Sequence, residues 1–468
     1  MRRSLLIALF ALGIASRAAA GDSGFTEGVF FVNEDWYGHQ NSTVNYLLPD
    51  DPEQNYWSYR VFREANPGHE LGCTTQYGAI WDGRFYLISK QAKDPGAEIT
   101  GGRITVCEAA DMKLVKQLEL IDPSGMQCDG RAFCGVSATK GYVSSSNGIW
   151  VLNLSTLEIE RQVEGSANPN TGDDKPNSDP TSSLYMGQTG TMVLAEGRVF
   201  AVHQQYGLLV IDPETDKVTE VLDLGIVDDA IEADTGTRPT KPTGIGSTVV
   251  RAKDGSLWHS CAKNVQGTGA TAPYLVRVDP ATLEREVVRI GGDGMYPPSN
   301  SWYAWTPDPF CASRRTDRLY WCGGPGRWSS SGTIFRFDTA TRKAEVLVDL
   351  TKQPDSWLVY GCSLGIHPET DELYTSLYHK FTDDTYITRR MDADGRTIRD
   401  YAMIASYWFP SLPVFPQGAG HSGLESVAAP SVAPDGAVYN LQGVRITRPL
   451  GELPPGIYIS AGRKILKR

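Results

Sequence analysis

Clusters of aromatic, amide and histidine side chains recur along this sequence, each directly after a short run of apolar residues. Such clusters begin after Val32, Val202 and Leu377, where Trp, Tyr, His or Gln residues follow within a few positions. Aromatic rings supply stacking area, and amides and imidazoles fix the orientation of a bound molecule. If the apolar runs are strands that end on one face of the protein, the clusters predict a site for a large, partly aromatic ligand.

The candidate ligand-binding residues come from these clusters and from the segments that join one repeat to the next. They are Trp36, Tyr37, His39, Gln76, Tyr77, Lys90, Arg131, His203, Gln204, Tyr206, Trp302, Tyr303, Trp328, Tyr378, His379 and Trp408. About half of the Trp and Tyr residues in and around the clusters are expected to pack between structural units instead. Trp258 and Trp321 are the first among these.

Catalytic motifs are weak in this sequence. Gly361-Cys-Ser-Leu-Gly365 matches G-x-S-x-G, but a nucleophile elbow needs a strand-to-helix turn, which nothing nearby indicates. The seven histidines include no HExxH motif. His39, His203 and His379 hold equivalent places and could gather around a metal or porphyrin-like ligand, although hydrogen-bonded histidines in loops are the commoner arrangement. The sequence therefore assigns no catalytic residue, no metal and no particular cofactor.

Carboxylates near the clusters offer a second chemistry. A glycosidase needs two carboxylates that face a sugar. Glu34 and Asp35 fall in one cluster and Asp129 precedes another segment. A carbohydrate-active hydrolase or lyase is therefore the alternative to a binding protein, and an adhesive surface that binds other proteins is a third hypothesis.

A repeated turn indicates which elements position the clusters. A strand ends in Asp or Asn, a tight turn follows, and a second strand begins, near positions 51, 111, 156, 215, 282, 341 and 395. Asp and Asn open such turns by accepting hydrogen bonds from the backbone that follows. The mean spacing is about 57 residues, which is long for a propeller blade but within the range of such repeats.

Each repeat has further landmarks before its turn. A glycine-containing segment, a polar turn such as Asp82-Gly83 and an alternating strand such as Arg84 to Ile88 precede it. Four strands per repeat is the composition of a propeller blade. The sequence thus predicts an all-β protein, a seven-bladed β-propeller over residues 25–416 with a small C-terminal β tail domain. No long amphipathic helix is expected.

The way the ring closes is also predicted. The first repeat starts directly with Gly28-Val-Phe-Phe-Val-Asn33, with no glycine-containing strand before it. Ser406 to Phe415 resembles the missing strand. We expect this last segment to complete the first blade, which removes a free sheet edge.

Composition and charge limit the possible partners. The net charge of −11 argues against nucleic acid, whose phosphates require a basic surface. The eight cysteines show no paired CxxC zinc pattern. Cys311 and Cys322 fall on predicted neighbouring strands, where a disulfide and buried free thiols are both open.

The two ends of the chain indicate export. Residues 1–20 have the charged start, short apolar run and small-residue end of a signal peptide. No segment reaches the roughly 18 apolar residues of a membrane span. Residues 422–435 form a linker rich in small residues, and residues 436–468 hold short strands separated by glycines. We expect a secreted protein or one attached to the outer-membrane surface.

Two resemblances refine this picture. The tail, with Val438-Tyr-Asn-Leu-Gln-Gly443, then Gly456-Ile-Tyr-Ile459, resembles the C-terminal sorting domains of the type IX secretion system in Bacteroidetes. The run from Gly28 to Asn45 and the phrase Tyr407-Trp-Phe-Pro410 resemble the DUF5074 family of Bacteroidetes surface propellers. The resemblance covers most of residues 25–416.

The DUF5074 resemblance implies a function as well as a fold. Some related surface propellers of gut Bacteroidetes capture corrinoids, vitamin B12 and its relatives, for a TonB-dependent outer-membrane receptor. Those proteins usually carry a lipid anchor, whereas the first cysteine here is Cys73. The expected function is therefore a secreted or cell-surface propeller that captures a nutrient or cofactor, such as a corrinoid (cobalamin) or another tetrapyrrole, for uptake.

Overall fold

The structure, a computed structural model, describes residues 24–126, 128–170, 187–261, 274–292, 294–299, 306–324 and 330–420, with four short strands after residue 437. The chain separates into two compact units, Met1–His421 and Ser422–Arg468. The predicted signal peptide and the predicted linker at 422–435 lie outside the described residues.

The first unit is a seven-bladed β-propeller, and each of its blades is an antiparallel sheet of four strands within the described residues. Blades 1 to 3 contain β1 (Val29–Asn33), β2 (Thr43–Leu47), β3 (Trp57–Ser58); β4 (Cys73–Trp81), β5 (Arg84–Gln91), β6 (Ile104–Glu108), β7 (Leu114–Leu118); and β8 (Gly130–Gly135), β9 (Lys140–Ser145), β10 (Gly148–Asn153), β11 (Glu158–Gln162). Blades 4 and 5 contain β12 (Thr189–Ala195), β13 (Arg198–His203), β14 (Gly207–Asp212), β15 (Lys217–Leu222); and β16 (Val249–Arg251), β17 (Leu257–Ser260), β18 (Tyr274–Val278), β19 (Arg285–Arg289). Blades 6 and 7 contain β20 (Phe310–Ala312), β21 (Arg318–Cys322), β22 (Thr333–Asp338), β23 (Lys343–Asp349); and β24 (Leu358–Ile366), β25 (Leu373–Tyr378), β26 (Ile387–Met391), β27 (Thr397–Ala402). The remaining strand, β28 (Pro410–Val414), belongs to blade 1.

The seven predicted turns all join the third and fourth strands of a blade, so this part of the prediction is confirmed. Their chemistry is local. The Asp338 carboxylate accepts hydrogen bonds from the backbone N–H groups of Ala340 (3.0 Å) and Thr341 (2.7 Å). Asp279 accepts the same pair of bonds two and three residues ahead. An Asp at the end of a strand therefore stops the strand and starts the turn.

Ring closure occurs as predicted. β28 pairs antiparallel with β1, with Phe30 opposite Val414 and Val32 opposite Leu412. The Ser411 hydroxyl lies within 3.1 Å of the Val32 carbonyl oxygen and 3.2 Å of the Thr75 carbonyl oxygen. The last strand thus joins blade 1 to blade 2 as well as completing blade 1.

The blades pack face to face through apolar side chains, as the fold requires. Trp258 and Trp321 are fully buried in one such cluster, which confirms their expected packing role. Ser363 of the G-x-S-x-G match is buried in the middle of β24, so the segment forms a strand and no nucleophile elbow.

Within the described residues, two α-helices interrupt the strand pattern, and both are short. α1 (Val61–Ala65) is a single turn, but α2 (Gly225–Thr235) has 11 residues. Val227 of α2 is buried against the core of blades 4 and 5, with Ile231 packed beside it. Gly236 ends the helix in the left-handed conformation at φ +75°, a position that favours glycine. The apolar pair spaced four apart and this glycine are the signals in the sequence.

All eight cysteines are free thiols in the structure, so the Cys311–Cys322 disulfide does not form. The strand register gives the reason, since Cys311 lies opposite Tyr320 and Cys322 opposite Ile334. Burial raises the pKa of both thiols to about 12, which keeps them protonated and unreactive.

The second unit forms a small sheet of its own. β29 (Val438–Tyr439), β30 (Arg445–Ile446), β31 (Gly456–Ser460) and β32 (Arg463–Lys467) pair in the order β30-β29-β31-β32. Across the described residues no helix is long and apolar enough to span a membrane.

The closing strand yields a stability prediction. A chain that ends at Ala405 loses β28 and leaves an open edge on β1, so we expect it to melt at least about 10 °C lower, or without cooperativity. A chain that ends at His421 keeps the strand and is the matched control. Circular dichroism during heating measures the difference, and equal melting temperatures for the two chains would contradict the role of β28.

Candidate functional site

The antiparallel order of the blades places two kinds of loop on one face of the propeller. These are the loops between the second and third strands and the connections from one blade to the next. We call this surface the loop face. The predicted clusters that begin at the ends of β1, β13 and β25 all belong to it, as does Lys90 near the end of β5.

Three closely packed rings, tilted against one another, form an aromatic platform on the loop face. The Trp36 ring centroid lies 4.0 Å from that of His39 and 4.1 Å from that of Tyr407. Backbone hydrogen bonds from the Glu34 and Asp35 N–H groups to carbonyls of the closing segment, each 3.0 Å long, hold the loop that carries Trp36. Tyr37, beside Trp36, is 54% exposed. The platform therefore depends on ring closure, because its rings come from both ends of the propeller chain.

Strained backbone accompanies the platform. Asp35 and Phe409 both adopt left-handed conformations, at φ +56° and +46°, although neither is glycine. Such strain costs about 1–3 kcal/mol per residue and tends to occur at functional sites. These two residues flank Trp36 and Tyr407, which are part of the platform.

Blade 7 extends the aromatic surface. The Phe409 ring stacks 5.0 Å from that of Phe381, which is 49% exposed. On the same blade the His379 ring stacks 3.8 Å from that of the buried Trp357. Exposed aromatic groups gathered in this way mark a binding surface more often than isolated ones do.

Several predicted residues support the site from within. Trp408 is fully buried, with its indole N–H donating to the Ile404 carbonyl oxygen at 2.9 Å and the Arg60 guanidinium 4.5 Å above its ring. The Tyr378 hydroxyl lies 2.5 Å from the Ser330 hydroxyl. The Tyr77 hydroxyl donates to the Phe133 carbonyl oxygen of the next blade at 3.1 Å. Trp408 and Tyr77 thus pack beneath or between blades rather than on the exposed loop face.

A second group of predicted residues lies on the inner strands, at the central channel. The structure corrects the place expected for Gln76, Tyr77 and Arg131, because they lie within the inner strands β4 and β8 and not in the segments that join one repeat to the next. The strand register skips Gln76, Arg131 and Ser411, each time near the same end of the inner strand. A β-bulge of this kind re-aims a side chain, and it explains how inner-strand residues come to meet loop residues.

Hydrogen bonds join these bulge residues to the loop face. The Gln76 amide donates to the Glu34 carboxylate at 2.8 Å. The Arg131 guanidinium donates to the Gln188 side-chain carbonyl at 2.8 Å through Nε and to the Asp129 carboxylate at 3.0 Å through Nη2. We call Glu34, Gln76, Lys90, Asp129 and Arg131 the channel cluster.

Burial controls the charges of this region. Desolvation raises the pKa of Glu34, against the opposing effects of Lys90, Gln76 and Tyr360. Desolvation also raises the pKa of Asp35 to about 8, although Thr43 donates to its carboxylate at 2.7 Å and Gln40 at 2.6 Å. Burial, followed by repulsion from Arg131, lowers the pKa of Lys90 to about 8.

The three histidines of equivalent blade positions have different environments. His39 and His379 are exposed and stacked on tryptophans, whereas His203 is fully buried and stacked on Tyr206 at 4.1 Å. The His203 Nδ1 accepts hydrogen bonds from the Gln205 and Tyr206 N–H groups, and burial lowers its pKa to about 4. Gln204, also buried, donates its backbone N–H to the Gln188 carbonyl oxygen. Within the described part of the chain, no three His, Cys, Asp or Glu side chains are placed to hold a metal.

Three of the predicted residues, Trp302, Tyr303 and Trp328, lie outside the described residues. The prediction omitted others that the structure brings to the site, chiefly Trp357, Tyr360, Phe381 and Phe409. Phe409 follows the Tyr407-Trp408 pair directly, and Phe381 follows the cluster at Tyr378-His379. Their positions beside known clusters are the signal that could have found them.

The fold and this site define a closed seven-bladed propeller whose loop face combines an aromatic platform with a buried charged channel. The chain belongs to the DUF5074 family, described as a domain of unknown function, whose model matches residues 27–416. A comparison with curated proteins finds no match.

One solved structure shares the fold, and a second matches more weakly. A quinonprotein alcohol dehydrogenase-like protein from Bacteroides thetaiotaomicron matches with a TM-score of 0.54 at 15% identity, over 84% of this chain and 79% of that one. A protein of unknown function from Bacteroides caccae matches with a TM-score of 0.37 at 11% identity, over 66% of this chain and 93% of that one. At these identities the first likeness concerns the propeller fold alone.

The raised pKa of Asp35 gives a testable pH dependence. The folded protein keeps a proton on Asp35 up to about pH 8, whereas an unfolded chain loses it near pH 4. The folded state therefore binds more protons in this interval, and its stability falls as the pH rises. From pH 5 to pH 7.5 we expect Asp35 to lower the free energy of unfolding by roughly 1–3 kcal/mol.

Urea denaturation at the two pH values measures this effect. In Asp35→Asn the free energy of unfolding should fall less between the two pH values than it does in the wild type. In Asp355→Asn, a change at an exposed aspartate, it should fall as much as in the wild type. Identical pH slopes for the wild type and Asp35→Asn would show that Asp35 is ionised in the folded protein.

Proposed function

We propose that this protein is an exported propeller that captures a small nutrient or cofactor on its loop face, of the corrinoid or wider tetrapyrrole class, for uptake by the cell. The observation that carries the proposal is the aromatic platform of Trp36, His39 and Tyr407 beside the channel cluster. A flat conjugated ring stacks on aromatic side chains, and its polar substituents meet amides and charges.

The arrangement of exposure supports capture of a ligand from outside. Tyr37 and Phe381 are each about half exposed, and both lie on the same face as the platform. The rings beneath them, Tyr360, Tyr386 and Trp408, are fully buried and pack together. A rigid buried layer under an exposed one reduces the side-chain entropy lost when a ligand binds.

The carbohydrate-active enzyme is the less favoured candidate. Such an enzyme needs two carboxylates available to a sugar. Asp129 pairs with Arg131 at 3.0 Å, and Asp35 accepts hydrogen bonds from Thr43 and Gln40. Glu34 accepts a hydrogen bond from the Gln76 amide and is half-buried. All three carboxylates are engaged by neighbouring side chains, an arrangement that suits a structural or binding role better.

The same proposal includes the route of the protein and its partner. We propose that residues 1–20 direct export, that residues 436–468 act as a type IX sorting domain in a bacterium of the Bacteroidetes, and that a TonB-dependent outer-membrane receptor takes up the ligand. The adhesive alternative, in which the loop face binds another protein, uses the same aromatic surface.

Ligand binding is tested by difference absorbance spectroscopy with two probes, hemin and cyanocobalamin. We expect the wild type to bind one of them with micromolar or tighter affinity, and Trp36→Ala to weaken binding about tenfold or more, because the central ring of the platform is lost. Ile398→Ala is the matched control, since Ile398 is 48% exposed on the outer strand β27, away from the channel.

Two results would count against this proposal in different ways. If neither probe binds at tens of micromolar, the tetrapyrrole class is wrong. If a probe binds equally well to the wild type and to Trp36→Ala, the platform is not the binding surface.

The export route is tested in a host that has a type IX secretion system. The full chain should reach the cell surface or the medium, and a chain that ends at His421 should stay in the periplasm. The full chain fused behind a different signal peptide is the control. Surface delivery of the shortened chain would show that the tail is no sorting signal.

A further inference from the structure

Lys90 and Arg131, the two cations of the channel cluster, carry N–H groups for which the described residues supply no acceptor. The Lys90 ammonium, at the end of β5, has no hydrogen-bond or ion-pair partner within contact distance among the described residues, and the residue is half-buried. Arg131 is 3% exposed, and its Nη1 group has no partner although it is buried. A buried, unpaired N–H of a charged group is costly, so its persistence calls for a partner.

The cations are close enough to act on each other. Two causes chiefly lower the pKa of Lys90, first its burial and second the positive charge of Arg131. The two residues lie on adjacent blades, in β5 and β8. Like charges held together in a low-dielectric interior attract an anion strongly. Arg131 is also fixed in place, because Gln188 and Asp129 accept its other N–H groups.

The nearby carboxylates are not partners of the unused donors on Lys90 and Arg131. Asp129 lies on the Nη2 side of Arg131, and Glu34 accepts its hydrogen bond from Gln76. The groups that act on Lys90 are Arg131, Glu34, Asp129 and Cys73. Burial raises the pKa values of Glu34 and of the Cys73 thiol, and Asp129 is already paired with Arg131 through Nη2. The described carboxylates therefore leave the Arg131 Nη1 donor without a partner.

We propose that Lys90 and Arg131 form an oxyanion subsite in the channel, which binds one carboxylate or phosphate group of a ligand between the Lys90 ammonium and the Arg131 Nη1 group. Lys90 is the group that an entering anion reaches first, and its flexible stem lets it move with the anion toward the fixed guanidinium. A guanidinium edge and an ammonium together supply charge-assisted hydrogen bonds that suit either oxyanion. This inference rests on the proposed function in one respect only, namely that the rest of the ligand lies on the loop face.

The test uses the full chain and two small probes, acetate and inorganic phosphate. Each replaces chloride at constant ionic strength, and the melting temperature is followed as the probe concentration rises. For the wild type we expect a saturable rise, about 1–2 °C at ten times the dissociation constant. Lys90→Met should lose the saturable rise. Lys93→Met, the same change at an exposed lysine three residues further along the chain, should keep it.

A second variant guards against a folding defect at the buried arginine. Arg131→Lys keeps the charge beside Asp129 but removes the Nη1 donor, so the saturable rise should become smaller and require more probe. Acetate alone producing the rise assigns a carboxylate, phosphate alone assigns a phosphate group, and both together assign a general oxyanion site.

The overturning results are equally definite. The subsite does not exist if neither probe gives a saturable rise in the wild type, or if Lys90→Met responds as the wild type does. Ile398→Ala, on the outer strand β27, should respond to both probes as the wild type does, and because acetate and phosphate carry no ring, the readout does not depend on stacking at the platform. The anion test can therefore succeed or fail independently of whether hemin or cyanocobalamin binds.

Discussion

The pairing of β28 with β1 is the constraint on which this structure depends. It completes blade 1 with chain from the far end of the propeller, and it leaves no open sheet edge on that blade. The same closing segment brings Tyr407 and Phe409 onto the loop that carries Trp36. The closure that stabilises the ring therefore also builds the aromatic platform, and one cannot be changed without the other.

The centre of the ring creates the second part of the site. The inner strands pack between neighbouring blades and border the central channel along one edge. Bulges at Gln76, Arg131 and Ser411 aim polar groups toward the end of the channel at the loop face. There the low-dielectric surroundings shift the pKa values of Glu34 and Lys90 and make an unpaired donor on Arg131 significant. A packed ring thus supplies both the rigidity and the electrostatics of the candidate site.

The fold could be predicted from the sequence because its signals are local. An aspartate such as Asp338 binds the next two or three backbone N–H groups, so each turn is encoded within a few residues. Ring closure could be predicted because the first repeat lacks its inner strand and the chain has one additional strand, β28, after the last repeat. The site could be predicted only in part, since Trp36 and Trp408 occur in similar clusters and only tertiary packing leaves Trp36 half-buried and buries Trp408 fully. The Glu34–Gln76 bond and the Arg131–Gln188 bond join different blades, and a bulge leaves no signature in an isolated strand.

Hydrogen–deuterium exchange with and without hemin or cyanocobalamin shows whether the loop face holds the ligand. When a probe binds, we expect slower amide exchange in residues 34–42 and 403–409 and at the ends of β4 and β8. Exchange in the seven turns between third and fourth strands should stay unchanged. Protection confined to those turns, on the opposite face, would contradict the account, as would binding that protects no segment of the loop face.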